Sequence, residues 1–308
     1  MALEETKRTD MPRVSLKSIL SLLIGSKEPP MAPQAAMGFF TDTSICIGCK
    51  ACEIACKQWN QLPASEPVWT GSSYDNTGQL SATTWRHVQF IEHIERPDIP
   101  FIQPNAASMP GSQHTALPFF NSDRWLMQSD VCKHCANAPC LEACPTGSII
   151  RTEFDTVYVQ QDICNGCGYC IVACPFGVIA RDQYGDRKAH KCTLCYDRLK
   201  EGFEPACAKA CPTDSIQFGE VEQLKAQARE RLDILHERGV KEAQLYGVDD
   251  NILDAGLKSF FLLLDQPEVY NLPQNPQRPS NNVIPASFWT IVAAAVLGLF
   301  GIVIFKKY

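Results

Sequence analysis

The chain has no excess of positive charge. Over 308 residues its formal net charge is -6 at pH 7, which excludes a nucleic-acid binder, because phosphates need a basic surface. It has no glycine-rich nucleotide fingerprint, so it brings no nucleotide cofactor to a reaction. It lacks a twin-arginine pair near its start, and it has no cysteine in residues 1–45, 57–131 or 212–308. Yet it holds 16 cysteines. That density lies below that of a small secreted disulfide scaffold, and the chain is long. Cysteines packed this tightly follow the arithmetic of metal sites. With 20% charged and 45% hydrophobic residues, the chain is neither a disordered nor an all-membrane one.

Residues 1–38 form an extension broken by Pro29, Pro30 and Pro33. Lys7, Arg8, Arg13 and Lys17 precede the apolar Ile19 to Ile24, which is short and late for a secretory signal. A short amphipathic helix or an arm lying on a partner is expected instead. Residues 57–130 are a cysteine-free insert rich in Pro, Ser, Thr, Asn and aromatics, of the kind that folds over its parent domain or meets a partner. After Gly219 the pattern becomes helical. Val221, Leu224, Ala228, Leu232 and Leu235 recur at i, i+3 and i+4, and Gly239 supplies a stop. Residues 266–282 have the proline and asparagine content of a linker.

The first cysteine run is Cys46, Cys49, Cys52 and Cys56; the second is Cys132, Cys135, Cys140 and Cys144. The third is Cys164, Cys167, Cys170 and Cys174, and the fourth is Cys192, Cys195, Cys207 and Cys211. The first and third have the C-x2-C-x2-C-x3-C spacing of bacterial two-cluster ferredoxins. Three thiolates of such a loop reach three irons of one cube. The fourth cysteine is expected to enter a short helix, face away and ligate the other cluster of a pair. Gly48, Gly166 and Gly168 let the backbone come close to the cube. Cys144-Pro145, Cys174-Pro175 and Cys211-Pro212 open repeated segments. Ser148–Arg151 and Thr156–Val159 read as a short hairpin.

Zinc needs only two C-x2-C pairs and has no use for the third and fourth cysteines of each run. Disulfides do not suit cysteines two residues apart. Four complete runs with no cysteine left over point to four 4Fe–4S clusters rather than three-iron ones. His134 and His190 lie beside the runs and are expected to form hydrogen bonds or face solvent, not to ligate metal.

Val283 to Phe305 contains no charge and no histidine. At 1.5 Å per residue it is long enough to cross about 30 Å of hydrocarbon, and without histidine it holds no haem. Lys306 and Lys307 close it, whereas the nearest preceding basic residue is Arg278. The positive-inside rule therefore sets the C-terminus in the cytoplasm and the cluster domain on the periplasmic or outer face of the inner membrane. The expected fold is α+β: tandem bacterial ferredoxin-like dicluster modules with a long insert, then a single C-terminal transmembrane helix. Its divisions are the extension 1–38, a four-cluster domain 39–220 with insert 57–130, a helix and linker 221–282, and the membrane helix 283–305.

From about residue 39 to 305 the chain resembles the beta subunits of membrane-bound formate dehydrogenases, within the four-cluster subunits of molybdopterin oxidoreductases. The matching stretches are Thr43 to Cys52, Cys192 to Arg198, Glu204 to Cys207, Tyr74-Asp75-Asn76 and Asp265 to Tyr270. The resemblance implies a pairing of first run with fourth and second with third. One cluster would take Cys46, Cys49, Cys52 and Cys211, and its neighbour Cys192, Cys195, Cys207 and Cys56. The inner pair would take Cys132, Cys135, Cys140 and Cys174, then Cys164, Cys167, Cys170 and Cys144. Cys56 departs from the pattern, being followed by Lys57 rather than proline.

The implied role is a non-catalytic electron wire in anaerobic respiration. Formate is oxidised on a molybdopterin in a catalytic alpha subunit, and a haem-b membrane gamma subunit reduces quinone. The beta subunit of that family crosses the membrane already folded, carried by its partner's signal. Three other readings compete: the iron–sulfur subunit of a periplasmic hydrogenase or sulfur-compound reductase, a free-standing membrane-tethered ferredoxin, and a zinc-bound interaction protein.

Overall fold

A computed structural model describes residues 35–64, 71, 74–93, 124–249 and 251–305. The expectations for Ile19–Ile24 and Lys306–Lys307, and for 94–123 of the insert, lie outside the described residues. The architecture is built on a four-stranded sheet. Its strands are β1 (Met37–Asp42), β8 (Ile216–Glu220), β9 (Gln244–Tyr246) and β10 (Ser259–Leu263), in the order β8-β1-β10-β9. β1 and β10 run parallel, with Phe40 opposite Phe260.

Alternation along these two strands divides the molecule into layers. Phe40, Phe260 and Leu262 point to one face and pack on Val221, Leu224, Ala228 and Leu235 of the helix α6 (Val221–Glu237). Phe39, Phe261 and Leu263 point to the other, into a core shared with the buried cysteines. The sheet is thus a partition between a helix layer and a cysteine layer.

Segment 221–282 is therefore not only helix and linker, since it supplies β9 and the central β10. The stretch 266–282 is not a free linker either. Tyr270 is 1% exposed, and its hydroxyl accepts the N–H of Leu264 at 3.2 Å. The β1–β10 pairing leaves no room beside Gly38, where a Cβ would collide with the Lys258 carbonyl that Phe39 N–H binds at 2.8 Å. Gly38→Ala is expected to destabilise the domain by about 1–3 kcal/mol through forced separation of these strands. A lowered thermal midpoint with unchanged iron content in the purified protein checks this.

The insert contributes a hairpin, β2 (Arg86–His93) with β3 (Arg124–Val131), in antiparallel register from Arg86 opposite Val131 to His93 opposite Arg124. It folds over the parent domain and packs on α1 (Ala51–Trp59). β4 (Ile149–Arg151) and β5 (Val157–Val159) form the expected short hairpin. A further pair, β6 (Ala180–Arg181) and β7 (Ala189–His190), follows the third run. The helix α7 (Val283–Phe305) ends the described residues.

Candidate metal centres

Each cysteine run folds the same way. The residue before its second cysteine is left-handed: Gly48 (φ 65°), His134 (φ 43°), Gly166 (φ 71°) and Leu194 (φ 58°). That conformation costs a residue with a Cβ about 1–2 kcal/mol, yet the fully buried His134 and Leu194 adopt it. The turn that folds each cysteine pair back on itself requires it. At Gly48 even a Cβ would come within 2.7 Å of the Phe90 ring, so the insert hairpin closes over this loop.

Short helices carry the third cysteine of each run. They are α1 with Cys52, α2 (Pro139–Glu142) with Cys140, α3 (Tyr169–Ala173) with Cys170 and α5 (Ala206–Lys209) with Cys207. In the fourth run an additional helix, α4 (Tyr196–Lys200), fills the long gap between Cys195 and Cys207. The expectation that the fourth cysteine lies within the helix holds only for Cys56. Cys144, Cys174 and Cys211 come after their helices. Proline is the reason: a residue before proline is disfavoured in α geometry, and Cys174 is extended at ψ 111°. Lys57 imposes no such stop, so α1 continues through Cys56 to Trp59.

Helix packing pairs the runs. α1 of the first lies against α5 of the fourth, and α2 of the second against α3 of the third. The thiols follow. Those acting on Cys56 are Cys192, Cys207 and Cys195, all from the fourth run. Cys46 faces Cys211 and Cys49. Cys135 faces Cys132, Cys140 and Cys174, and Cys170 faces Cys164, Cys144 and Cys167. Electrostatic influence between the groups links them in a row. Cys52 faces Cys207, Cys192 faces Cys132, and Cys140 faces Cys170. Cys49 and Cys167, at opposite ends of the row, are exposed, whereas Cys192 and Cys135 in its middle are buried.

All sixteen thiols are free. Burial pushes Cys52 and Cys140 up to about 12, and Cys170 and Cys195 up to about 11. Neighbouring thiols push most of them further in the same direction. Such a cage opposes four negative charges unless cations neutralise them, which suits a cube of irons. Cys144 is the exception. Burial opposes its ionisation, but the Ser148 and Thr146 hydroxyls and the N–H groups of Ile149 and Ser148 outweigh it and bring the thiol down to about 7. Hydroxyls also reach Cys52 (Ser129 Oγ, 3.2 Å) and Cys211 (Thr213 Oγ1, 3.8 Å).

Neither histidine joins a thiol group as a needed fifth ligand. His134 Nδ1 accepts the N–H of Val157 at 3.2 Å, and burial, followed by Lys191 and Lys258, holds its pKa well below the usual imidazole range. His190 Nε2 lies 2.9 Å from Asp186. Asp182 and Asp186, on the turn between β6 and β7, cluster with His190 of β7. There Asp182 caps the N–H groups of Tyr184 and Gly185, and Asp186 caps that of Lys188.

Sequence reasoning missed the buried charges around the first run. Glu53, between two cysteines on α1, accepts the N–H of Val88 and lies 3.2 Å from His87 Nδ1. Asp75, from the Tyr74-Asp75-Asn76 motif, sits 3.0 Å from His87 Nε2. The insert is thereby clamped to the first run. Arg86, 1% exposed, donates from Nη1 to Ser129 Oγ at 2.8 Å. No hydrophobic periodicity marks these residues as buried.

At the far end, Arg278 donates to Glu142 of α2 and to Asp254, each at 2.8 Å, and Ser280 Oγ donates to Glu142 at 2.7 Å. These bonds fix the root of α7 beside the second run. Among the described residues, one helix is long and apolar enough to cross a membrane, and the stretch Pro279–Leu299 that includes most of it has mean hydropathy 1.7. Phe288, Trp289 and Leu297 on it are exposed.

These features define a tandem dicluster protein of the ferredoxin-like kind, and two family models described as "4Fe-4S dicluster domain" match residues 45–148 and 123–221. Its thiol groups fit four 4Fe–4S clusters. This protein belongs to the family of formate dehydrogenase iron–sulfur subunits, which transfer electrons and do not themselves catalyse. It is 37% identical over 261 residues to the formate dehydrogenase iron–sulfur subunit of Haemophilus influenzae, covering 83% of this chain and 75% of that protein. It is 37% identical to the formate dehydrogenase-O iron–sulfur subunit of Escherichia coli, covering 82% and 76%. A subunit of the anaerobic dimethyl sulfoxide reductase of Escherichia coli is 31% identical, over 61% of this chain and 75% of that subunit.

Proposed function

We propose that this chain is the wire of a membrane-bound formate dehydrogenase, joining a molybdopterin catalytic subunit to a haem-b membrane subunit that reduces quinone. Each cluster, when bound, accepts and passes on one electron at a time. The chain's own residues supply burial, hydrogen bonds to sulfur and the order of the sites. We assign one cluster to Cys46, Cys49, Cys52 and Cys211 and its neighbour to Cys192, Cys195, Cys207 and Cys56. The next takes Cys132, Cys135, Cys140 and Cys174, and the last takes Cys164, Cys167, Cys170 and Cys144.

The observation that carries this reading is the row of four thiol groups, exposed at both ends and buried in the middle. A carrier that docks one partner needs only one exposed site; a relay needs two. Because Arg278 ties the root of α7 to α2, the end holding Cys164 and Cys167 is assigned to the membrane side. The Cys46–Cys49 end then receives electrons from the catalytic partner. α7 spans the inner membrane, with Lys306 and Lys307 in the cytoplasm and the cluster domain on the periplasmic face. The greater coverage by formate dehydrogenase relatives, 83% against 61% for the dimethyl sulfoxide reductase subunit, favours formate over sulfur compounds.

Purification in mild detergent followed by mass spectrometry of copurifying subunits tests the proposal. A molybdopterin protein and a haem-b membrane protein are expected. A nickel–iron partner, or a fully metallated chain without partners, would sink it.

A further inference from the structure

The first strand of the insert hairpin begins with a charge that no ion pair among the described residues explains. Arg86 stands at the start of β2, 1% exposed. Its Nη1 donates to Ser129 Oγ, and the same hydroxyl lies 3.2 Å from Cys52 Sγ. The guanidinium carbon sits 4.9 Å over the Phe39 ring, which holds its plane. Nε and Nη2 are buried without a hydrogen-bond partner among the described residues. Burial alone would disfavour the charge, but the thiols of Cys207, Cys52, Cys192 and Cys56 face it and hold its pKa above the ordinary value.

The other buried cations near the cysteines differ. Lys133 Nζ is taken up by Asp130 and the Val131 carbonyl. Lys191 Nζ binds the carbonyls of Val157 and Cys192. Arg198 Nε binds the Glu204 carbonyl at 2.6 Å. Of these four, only Arg86 has buried side-chain nitrogens without a hydrogen-bond partner among the described residues, and the thiols acting on it belong to two different groups.

We propose that Arg86 is a fixed counter-cation shared by the cluster of Cys46, Cys49, Cys52 and Cys211 and the cluster of Cys192, Cys195, Cys207 and Cys56, raising the reduction potential of both. The inference rests on the thiol assignment proposed above. A cluster gains one negative charge on reduction, so a buried cation at its side stabilises the reduced form more than the oxidised one. The bond from Nη1 to Ser129 Oγ also orients a hydroxyl that lies 3.2 Å from Cys52 Sγ. The insert then has a definite role, because β2 carries a cation from outside the cysteine runs to the side of Cys52.

The test is redox titration followed by EPR on the intact complex, with iron and sulfide content measured alongside. In Arg86→Gln the ratio of reduced to oxidised cluster at fixed ambient potential should fall about tenfold for this pair, equivalent to about 59 mV for one electron. The other pair should not move. Arg86→Lys, which keeps the charge, should retain nearly native potentials. If Arg86→Gln fails to assemble while Arg86→Lys assembles with native potentials, the need for charge is still shown. Unchanged potentials in a fully metallated Arg86→Gln complex overturn the proposal. So does equal loss of clusters in both variants, which marks the planar group as packing only. A failure of the thiol assignment would appear separately, as Cys144→Ser and Cys140→Ser altering the same EPR signal.

Discussion

Cys144→Ser is expected to damage the cluster held by Cys164, Cys167 and Cys170 and to spare the one held by the other cysteines of its own run. Cys144 follows α2, and its thiol faces Cys170, while Cys132, Cys135 and Cys140 face Cys174. Serine is a poor iron ligand beside three thiolates, so that cube should be lost or reduced to three irons, removing up to about a quarter of the bound iron. Cys140→Ser, four residues earlier on the same run, should alter a different EPR signal. Parallel spectra of the two variants decide the matter. If both change the same signal, each run serves its own cluster and the interlocked assignment is wrong.

Deleting 283–305 is expected to release the chain from the membrane when it is made without its partners. α7 is 23 residues long, and its Val, Ile, Leu and Phe residues each favour the bilayer centre by about 0.3–0.6 kcal/mol. No charge opposes them. The full chain should stay in the membrane pellet through an alkaline wash, and the truncated chain should appear in the wash. A truncated chain that still pellets, or a full chain that washes off, would remove the anchor from the proposal. Arg278→Ala belongs to a different experiment, because it loosens the joint between α2 and the helix root without touching the apolar segment.

Much of this was legible because it is local. Cysteine spacing depends on a few residues, so the runs, the hairpin 149–159 and the two long helices could be read from neighbours in the chain. β10 could not. Ser259 to Leu263 is buried on both faces, so it shows no alternation, and its partner β1 lies far back in the sequence. Composition also misled at 266–282, where prolines that suggest a linker instead fix turns around the buried Tyr270. Glu53, Arg86 and His87 were missed for a third reason. A charged residue that is buried looks, in sequence, like one that is solvated. Only the pairing of β2 with β3 and its packing on α1 reveal where these charges lie.

The parallel strands set a timetable for biosynthesis. Thr43, just after β1, hydrogen-bonds through its hydroxyl to the Leu262 carbonyl, 219 residues onward. Every cysteine lies between those two points and leaves the ribosome before β10 exists. The partition between the layers therefore closes last, after all sixteen thiols have been made. Until then the cysteine layer lacks the wall that Phe261 and Leu263 supply. Closure is a long-range step and correspondingly slow.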